Sequence, residues 1–511
     1  MYQFPDPKTT LPQERRWQRC YEMLPGILTW GTFIGLILLS FFIPLWVAIF
    51  ILFYNLYWFF KAVYLSTHLI ESYLIMRKHV QQDWLVQAQQ LEGFSDIYQV
   101  IMYLTYNESP EMLAASIKST AESNYPNQNI IIVVATEERE GKDRDHKEAF
   151  LREQFHGVFA DFLVTTHPDG IPGEMKAKGA NATYAAKQVR EYLTKKDIAF
   201  EHVIISVFDS DTIAHEQYFA SLTQTFLTTE TPYQYSYQPL PMYHNNIWDA
   251  PAITRVIAMN SSFWHMMEAV RFDRLVTFSS HSMSFKTLVD VNYWPTNIVS
   301  DDSIIYWKCM DYYDGDYGVK PIYAPVSLDA VQAPGLWETI QNQYKQMRRW
   351  AYGIEDLALV MRSYARNPRA PLIPKIRRIS NMIIGHFTWA TAPVLLAIYA
   401  WFPIWLGGHD FRDTLISNNL PEYSSNIMTI TLLGLIITAY INRLVLPPRP
   451  KHYSWKRSFM MYVQWVLVPP VALFLGAFPA IEAQTRLLFA KYLGFWVTPK
   501  NRSKKQEVDT P

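Results

Sequence analysis

The spacing of hydrophobic positions changes character along this chain. Residues 23–60, from "MLPGILTWGTFIGLILLSFF" to "NLYWFF", hold no charged side chain. One membrane-spanning helix needs ~20 apolar residues, so this stretch is long enough for two. Pro44 lies near its middle, where a hairpin would turn. Residues 97–335 follow another pattern. Short β-rich runs, "IYQVIMYL", "NIIIVVA" and "HVIISVF", alternate with helix-like stretches, "SPEMLAASIKSTAES" and "KAKGANATYAAKQVREYLTKK". That alternation predicts an α/β domain with a mostly parallel sheet and helices on both faces. "LVQAQQLEGFSD" and "YARNPRAPLIPKIRR" are expected as its flanking connectors. Apolar spans return at 381–405 and 425–446. A further apolar stretch, 458–481, carries Pro469–Pro470 at its centre, which predicts a re-entrant or kinked segment instead of a straight span.

Charge orients these segments. Arg15, Arg16 and Arg19 precede the first apolar stretch, and Arg77 and Lys78 follow it. The positive-inside rule places both flanks, and the α/β domain after them, in the cytoplasm. "LGGHDFRDTLISNNLPEYSSN" is short and slightly acidic, hence expected outside; "PPRPKHYSWKR" is basic, hence inside. The first stretch is too long for a cleaved signal and lacks a small-residue cleavage site. The expectation is a multi-pass protein of the cell (plasma or inner) membrane, in contact with its lipid.

Composition narrows the classes. Half of the 511 residues are hydrophobic and 15% aromatic, more than one core accommodates. A formal net charge of zero argues against nucleic acid as the partner. Cys20 and Cys309 are the only cysteines, too few for a disulfide framework or a thiolate metal site, and they fit a reducing compartment.

In sheets of this kind ligands bind at the carboxyl ends of strands. After the first strand comes "TYNESPE", which places Tyr106, Asn107 and Glu108 at the strand end. After "HVIISVF" comes "DSDT"; on an extended chain Asp209 and Asp211 point the same way. Two carboxylates on one side repel unless a cation sits between them, and oxygen-only ligands suit Mg²⁺ or Mn²⁺ bridging to phosphates. In "TNIVSDDSIIYW", Asp301 and Asp302 open a helix, where they either complement its dipole or serve as a general base. "KQMRRWAYG", just before the membrane segments, packs Lys345, Gln346, Arg348, Arg349 and Trp350 into one and a half turns; alone it is a solvated basic face.

Taken in order, the "YNE" turn, the D-x-D after a central strand, the Asp pair about ninety residues on and Q-x-x-R-W before membrane helices resemble membrane-integrated family 2 glycosyltransferases, the group of cellulose, chitin and hyaluronan synthases. The resemblance covers roughly residues 25–500. It implies a GT-A-like domain inserted between transmembrane helices. Five regions follow: an N-terminal hairpin over 1–80, the glycosyltransferase domain over 97–335, interfacial helices carrying Gln346, Arg349 and Trp350 over 336–380, a transmembrane region over 381–481, and an interfacial helix with a tail over 482–511. The arginine would meet the nucleotide diphosphate and the tryptophan would stack under the acceptor sugar, in keeping with a guanidinium fork and an indole face. "FWVTPK" is similar to the family's gating loop, assigning Phe495, Val497, Thr498 and Lys500 to the nucleotide. "MKAKGANA" is similar to its K-A-G-x-x-N segment, with Lys176 or Lys178 and Asn181 near the nucleotide.

The chain departs from that pattern in places. "ATEEREG" follows the second strand where the family carries D-D-G-S, leaving Glu137 or Glu138 to replace the base contact. "SDD" stands for "TED", which keeps Asp302 as the base. The expected activity is inverting transfer of a sugar from a nucleotide sugar, a UDP-sugar first, to a hydroxyl acceptor at the cytoplasmic face, extending a polysaccharide. One alternative is a single transfer to a lipid or lipid-linked acceptor, favoured by the few spans. Another is a non-catalytic membrane subunit or a transporter. Membrane partner subunits are compatible with each reading.

Overall fold

The apolar runs at 97–104, 129–135 and 202–208 form the middle of one open sheet. The computed structural model describes residues 4–8 and 11–498. Its strands are β1 Tyr98–Leu104, β2 Ile130–Glu137, β3 Asp161–His167, β4 Val203–Asp209, β5 Ile213–Ala214, β6 Tyr235–Met242, β7 Ser282–Ser284 and β8 Gly318–Ser327. Their spatial order is β3-β2-β1-β4-β7-β6-β8-β5. β3, β2, β1 and β4 are mutually parallel, and β6 is parallel to β8. β7 runs antiparallel to β4 and β6, and β5 antiparallel to β8. The sheet is therefore mixed beyond β4. Three-residue β7 and two-residue β5 enter from loops, so no crossover helix forces them parallel.

Both faces of the central strands are covered. Val100, Met102, Val133 and Ile205 enter one apolar cluster, whereas Ile101, Tyr103, Ile132 and Ile204 enter the other. Side chains alternate between faces, so a strand covered on both reads as an unbroken apolar run. Parallel pairing then brings the carboxyl ends of β1, β2 and β4 to one edge. Polar residues begin there: Tyr106–Glu108, Glu137 and Asp209. The Ser109 hydroxyl accepts the Met112 amide at 3.2 Å and starts the Pro110–Ala121 helix right after the β1 turn.

Among the described residues, five helical stretches are long and apolar enough to cross a membrane: Pro12–Phe42, Pro44–His79, Leu372–Ala397, Leu415–Val445 and Trp455–Leu488. The first two form the expected hairpin, broken at Ile43 beside Pro44. The third runs earlier than expected, from Leu372 to Ala397, and then breaks into short turns before Pro403. The expected connector there shrinks accordingly, since Leu372–Arg378 is already helical. Much of the polar stretch before the fourth is also helix. Thr414 accepts the Ser417 amide at 3.2 Å and caps it, and Pro421 falls within the helix.

The fifth stretch is not uniformly α-helical around its paired prolines. Residues Gln464–Leu467 form a 3₁₀ turn and Ala472–Ala477 a π turn, around Pro469–Pro470. Near its start, Arg457 donates to the Trp248 carbonyl at 3.0 Å and Arg255 to Gln464 at 2.6 Å. Near its end, Glu482 accepts from Arg348 at 2.6 Å and Tyr344 at 2.9 Å. Both ends thus bond the α/β domain or the helix that follows it.

Candidate active site

Lys178 joins the sequence-predicted carboxylates. Its ammonium, on the first residue of the Lys178–Lys195 helix, lies 2.9 Å from Asp209 Oδ1 and 3.1 Å from Asp302 Oδ1. Burial works against that charge, but Asp209, Asp302 and Asp301 outweigh it and hold the ammonium well above its usual value. Asp209 is the last residue of β4, and its Oδ2 accepts from the Ser279 hydroxyl at 2.5 Å. Asp301 and Asp302 open the Asp301–Tyr312 helix. Asp301 is 5% exposed; burial first, then the neighbouring Asp302, raises its carboxyl, against Lys178 and Arg349. Asp302 is the more open of the two, with a side chain 28% exposed.

Gly179 explains how the two helix starts come so close. A Cβ there would stand 2.8 Å from the Pro295 carbonyl and 3.0 Å from the Asp301 Cβ. Only a glycine leaves that gap without moving backbone.

The D-x-D pair is not the extended arrangement expected. Ser210 and Asp211 form a turn, closed by the Thr212 amide on the Asp209 carbonyl at 3.0 Å. Asp211 is consequently only 2% exposed, and its Oδ2 accepts the Asp329 amide at 2.9 Å. The chain must turn here because β5 leaves to pair with β8 at the far edge. Asn245 ties this turn down, donating to the Asp211 carbonyl at 2.8 Å and Asp329 Oδ1 at 2.9 Å. Among the described residues no group of three or more His, Cys, Asp or Glu could hold a metal. Two carboxylates are nonetheless the protein share of a Mg²⁺ or Mn²⁺ site completed by substrate phosphates, so the donor set fits such an ion.

The Leu336–Ala351 helix adds Arg349 and Trp350. Arg349 Nε is buried without a hydrogen-bond partner among the described residues, and the guanidinium lies 5.2 Å from the centre of the Phe495 ring. Trp350 lies 6.1 Å from Tyr243, ring centre to ring centre. Tyr243 is within electrostatic reach of Asp209, Asp211, Arg349 and Asp302; burial and the carboxylates raise its hydroxyl. Gln346 accepts from Gln343 at 3.2 Å. The C-terminal segment lies on the same helix. Trp496 packs 5.3 Å from Lys345 Nζ, and the Leu493 amide donates to the Tyr352 hydroxyl at 3.3 Å. Val497 is partly buried, and the Thr498 hydroxyl is buried without a partner among the described residues. Lys500 lies outside the described residues.

The first-strand turn builds a separate corner. Glu108 accepts from the Thr105 hydroxyl at 3.0 Å and the Tyr106 amide at 2.8 Å, and Asn107 stands exposed. The Arg139 guanidinium covers the Tyr106 ring at 4.0 Å and is gripped by both oxygens of Glu137. Glu138 instead accepts the Asp169 amide at 2.9 Å, and Lys176 pairs with Asp169 at 2.7 Å. Asn181 is 2% exposed and donates to the Ala135 carbonyl at 2.9 Å. The structure therefore gathers Lys178, Asp209, Asp301, Asp302 and Arg349. Lys176 and Asn181 face other partners.

Sequence reasoning passed over Tyr243, Ser279, His281, Asp329 and Arg139. His281 is fully buried, with Nδ1 2.9 Å from the Phe278 carbonyl and 4.0 Å from Asp302 Oδ1. Tyr243 directly follows β6 and Asp329 lies two residues beyond β8, so the strand-end rule would have found them had those strands been recognised.

Known proteins share this part of the chain. The model of the family described as "Glycosyl transferase family group 2" matches residues 204–444, from β4 into the fourth apolar helix. No curated protein matches. Three solved structures illustrate the faint likeness beyond the family. The mannosyltransferase PcManGT from Pyrobaculum calidifontis, in complex with GDP-Man and Mn²⁺, is 14% identical with a TM-score of 0.40, over 83% of this chain and 99% of that one. TarS from S. aureus is 12% identical with a TM-score of 0.34, over 67% of this chain and 55% of that one. TarS 1–349 in complex with UDP is 12% identical with a TM-score of 0.35, over 68% and 92% respectively.

Proposed function

We propose that this chain is an inverting family 2 glycosyltransferase with a GT-A-like domain on the cytoplasmic side of the cell membrane. It transfers a sugar from a nucleotide sugar, a UDP-sugar in the first instance, to the hydroxyl of a growing saccharide. The observation that carries the reading is the meeting of Asp209, Lys178 and Asp302 at the carboxyl end of β4, next to Arg349. One side of that group is anionic and suits a metal; the other offers cations to a diphosphate. The family match over residues 204–444 supports the same class.

Each residue then has a task. Asp209 and Asp211 would hold Mg²⁺ or Mn²⁺, which when bound offsets charge on a leaving diphosphate. Arg349, whose Nε has no partner among the described residues, donates to a phosphate oxygen. Asp302 takes the proton of the acceptor hydroxyl as that oxygen attacks the anomeric carbon from the face opposite the leaving group. Lys178 holds Asp302 and Asp209 in place until substrate arrives. Trp350 and Tyr243 offer aromatic faces to the acceptor sugar, which favours a saccharide over a bare lipid. Arg139 stacked on Tyr106, with Glu137, forms the corner for the base. Phe495–Thr498, seated beside Arg349 and Lys345, would close over the nucleotide.

Metal-dependent nucleotide binding tests the site. Purified full-length protein in detergent should bind UDP in Mn²⁺ or Mg²⁺ and lose most of that affinity on chelation. Asp209→Ala should show the same loss with metal present, on the order of tenfold or more. Failure of every nucleoside diphosphate to bind, or equal binding with and without metal, would overturn the site as read.

A further inference from the structure

Glu355 and Asp356 form a group that the chemistry above leaves unused. They sit just beyond the Leu336–Ala351 helix, and both reach across to the residues preceding Asp301. Glu355 Oε1 accepts the Val299 amide at 3.1 Å and the Ser300 amide at 3.2 Å, and lies 3.1 Å from the Ser300 hydroxyl oxygen. Asp356 accepts the Ser303 hydroxyl at 2.6 Å and lies 2.5 Å from the Ser300 hydroxyl oxygen.

Ser300 is spent in an unusual way. It occupies the position before the first residue of the Asp301–Tyr312 helix, where a serine hydroxyl ordinarily accepts that helix's own amides. Here it makes no such bond and is directed at the two carboxyls instead. The start of the helix carrying Asp301 and Asp302 is therefore fixed from outside.

The protons can be counted. Ser300 has one hydroxyl proton, so it can donate to only one of its two carboxyl neighbours. The other contact needs a proton on a carboxyl. Neither acid has a cationic partner among the described residues, and Asp356 is 1% exposed. Burying two uncompensated charges side by side is costly, which favours a shared proton. In line with this, burial pushes Glu355 up to about 8 and Asp356 up to about 7.

We infer that Glu355 and Asp356 are positioning residues, a clamp from the turn that follows the Arg349-bearing helix, which sets where the Asp302 carboxylate stands. The inference rests on Asp302 being the base. The clamp links the helix that meets the diphosphate to the helix that takes the proton, so the two ends of the reaction share one rigid connection.

Two readouts in the full-length protein test it. The first is hydrogen exchange of the amides at 299–304, which needs no activity. Glu355→Ala should lose protection there, whereas Glu355→Gln, whose carbonyl oxygen can accept the same two amide bonds, should keep it. The second is kinetics. Glu355→Ala should lower kcat by about 10²-fold with KM for the nucleotide sugar within about twofold, as for a misplaced catalytic group, and Glu355→Gln should restore it. If Glu355→Ala does not fold, Ser300→Ala carries the kinetic test, with an expected fall in kcat of about tenfold at unchanged KM. Unchanged exchange at 299–304 in Glu355→Ala refutes the clamp, as does wild-type kcat in Glu355→Ala or in Ser300→Ala. If the wild-type chain transfers no sugar, the reading of function falls, and the exchange comparison still decides the clamp.

Discussion

Asp302→Asn is expected to reduce sugar transfer by ~10²–10⁴-fold while nucleotide binding stays close to wild type. Asparagine matches aspartate in size and keeps an oxygen for the Lys178 ammonium, now 3.1 Å away. What it cannot do is accept the acceptor's proton. Asp302 is the better placed of the pair for that proton. Its side chain is 28% exposed, whereas Asp301 is 5% exposed and is raised by burial. The metal and diphosphate contacts are assigned to Asp209, Asp211 and Arg349, so the substitution should leave nucleotide affinity alone. Turnover and UDP affinity measured on the same preparation check this. Normal turnover would remove Asp302 as the base; a parallel loss of affinity would make it a binding residue.

Ending the chain after Gly494 should lower transfer by roughly 10²-fold with insertion and expression unchanged. The structure gives this segment a seat. Phe495 lies on Arg349, Trp496 on Lys345, and Leu493 is bonded to Tyr352. A tail that merely rests on lipid would have no reason to meet the Arg349 helix twice, at Phe495 and Trp496. Closing such a segment over a nucleotide excludes water, which strengthens every charge interaction inside and suppresses hydrolysis of the donor. The buried Thr498 hydroxyl, unpartnered among the described residues, is available for a phosphate oxygen. Transfer from the true donor at an undiminished rate in the truncated protein would show that the segment is not a lid.

Where the sequence was readable, the reason is physical. β1, β2 and β4 are covered on both faces, so their residues form nearly continuous apolar runs that stand out from any helix period. β7 is "SMS", three residues with two serines, and β5 is two residues long; neither has a pattern to detect. The antiparallel part of the sheet was hidden for that reason. Asp209 was visible from its place after a strand, but the turn at Ser210–Asp211 depends on β5 crossing to β8, a contact over a hundred residues away. The Lys178 bridge was half legible. The residue was singled out, yet its partners Asp209 and Asp302 meet it only because Gly179 lets two helix starts approach. Glu355 and Asp356 carried no signal at all, because their role is set by Val299 and Ser300, which reach them only in the folded chain.

The account's central claim is sugar transfer from a nucleotide donor. Its most direct test is release of nucleoside diphosphate from a panel of nucleotide sugars by the detergent-purified chain, with Mg²⁺ or Mn²⁺ and a saccharide acceptor. The account predicts release from at least one donor, a UDP-sugar first, that stops on chelation and drops in Asp302→Asn. No release above the Asp302→Asn background from any donor would contradict it.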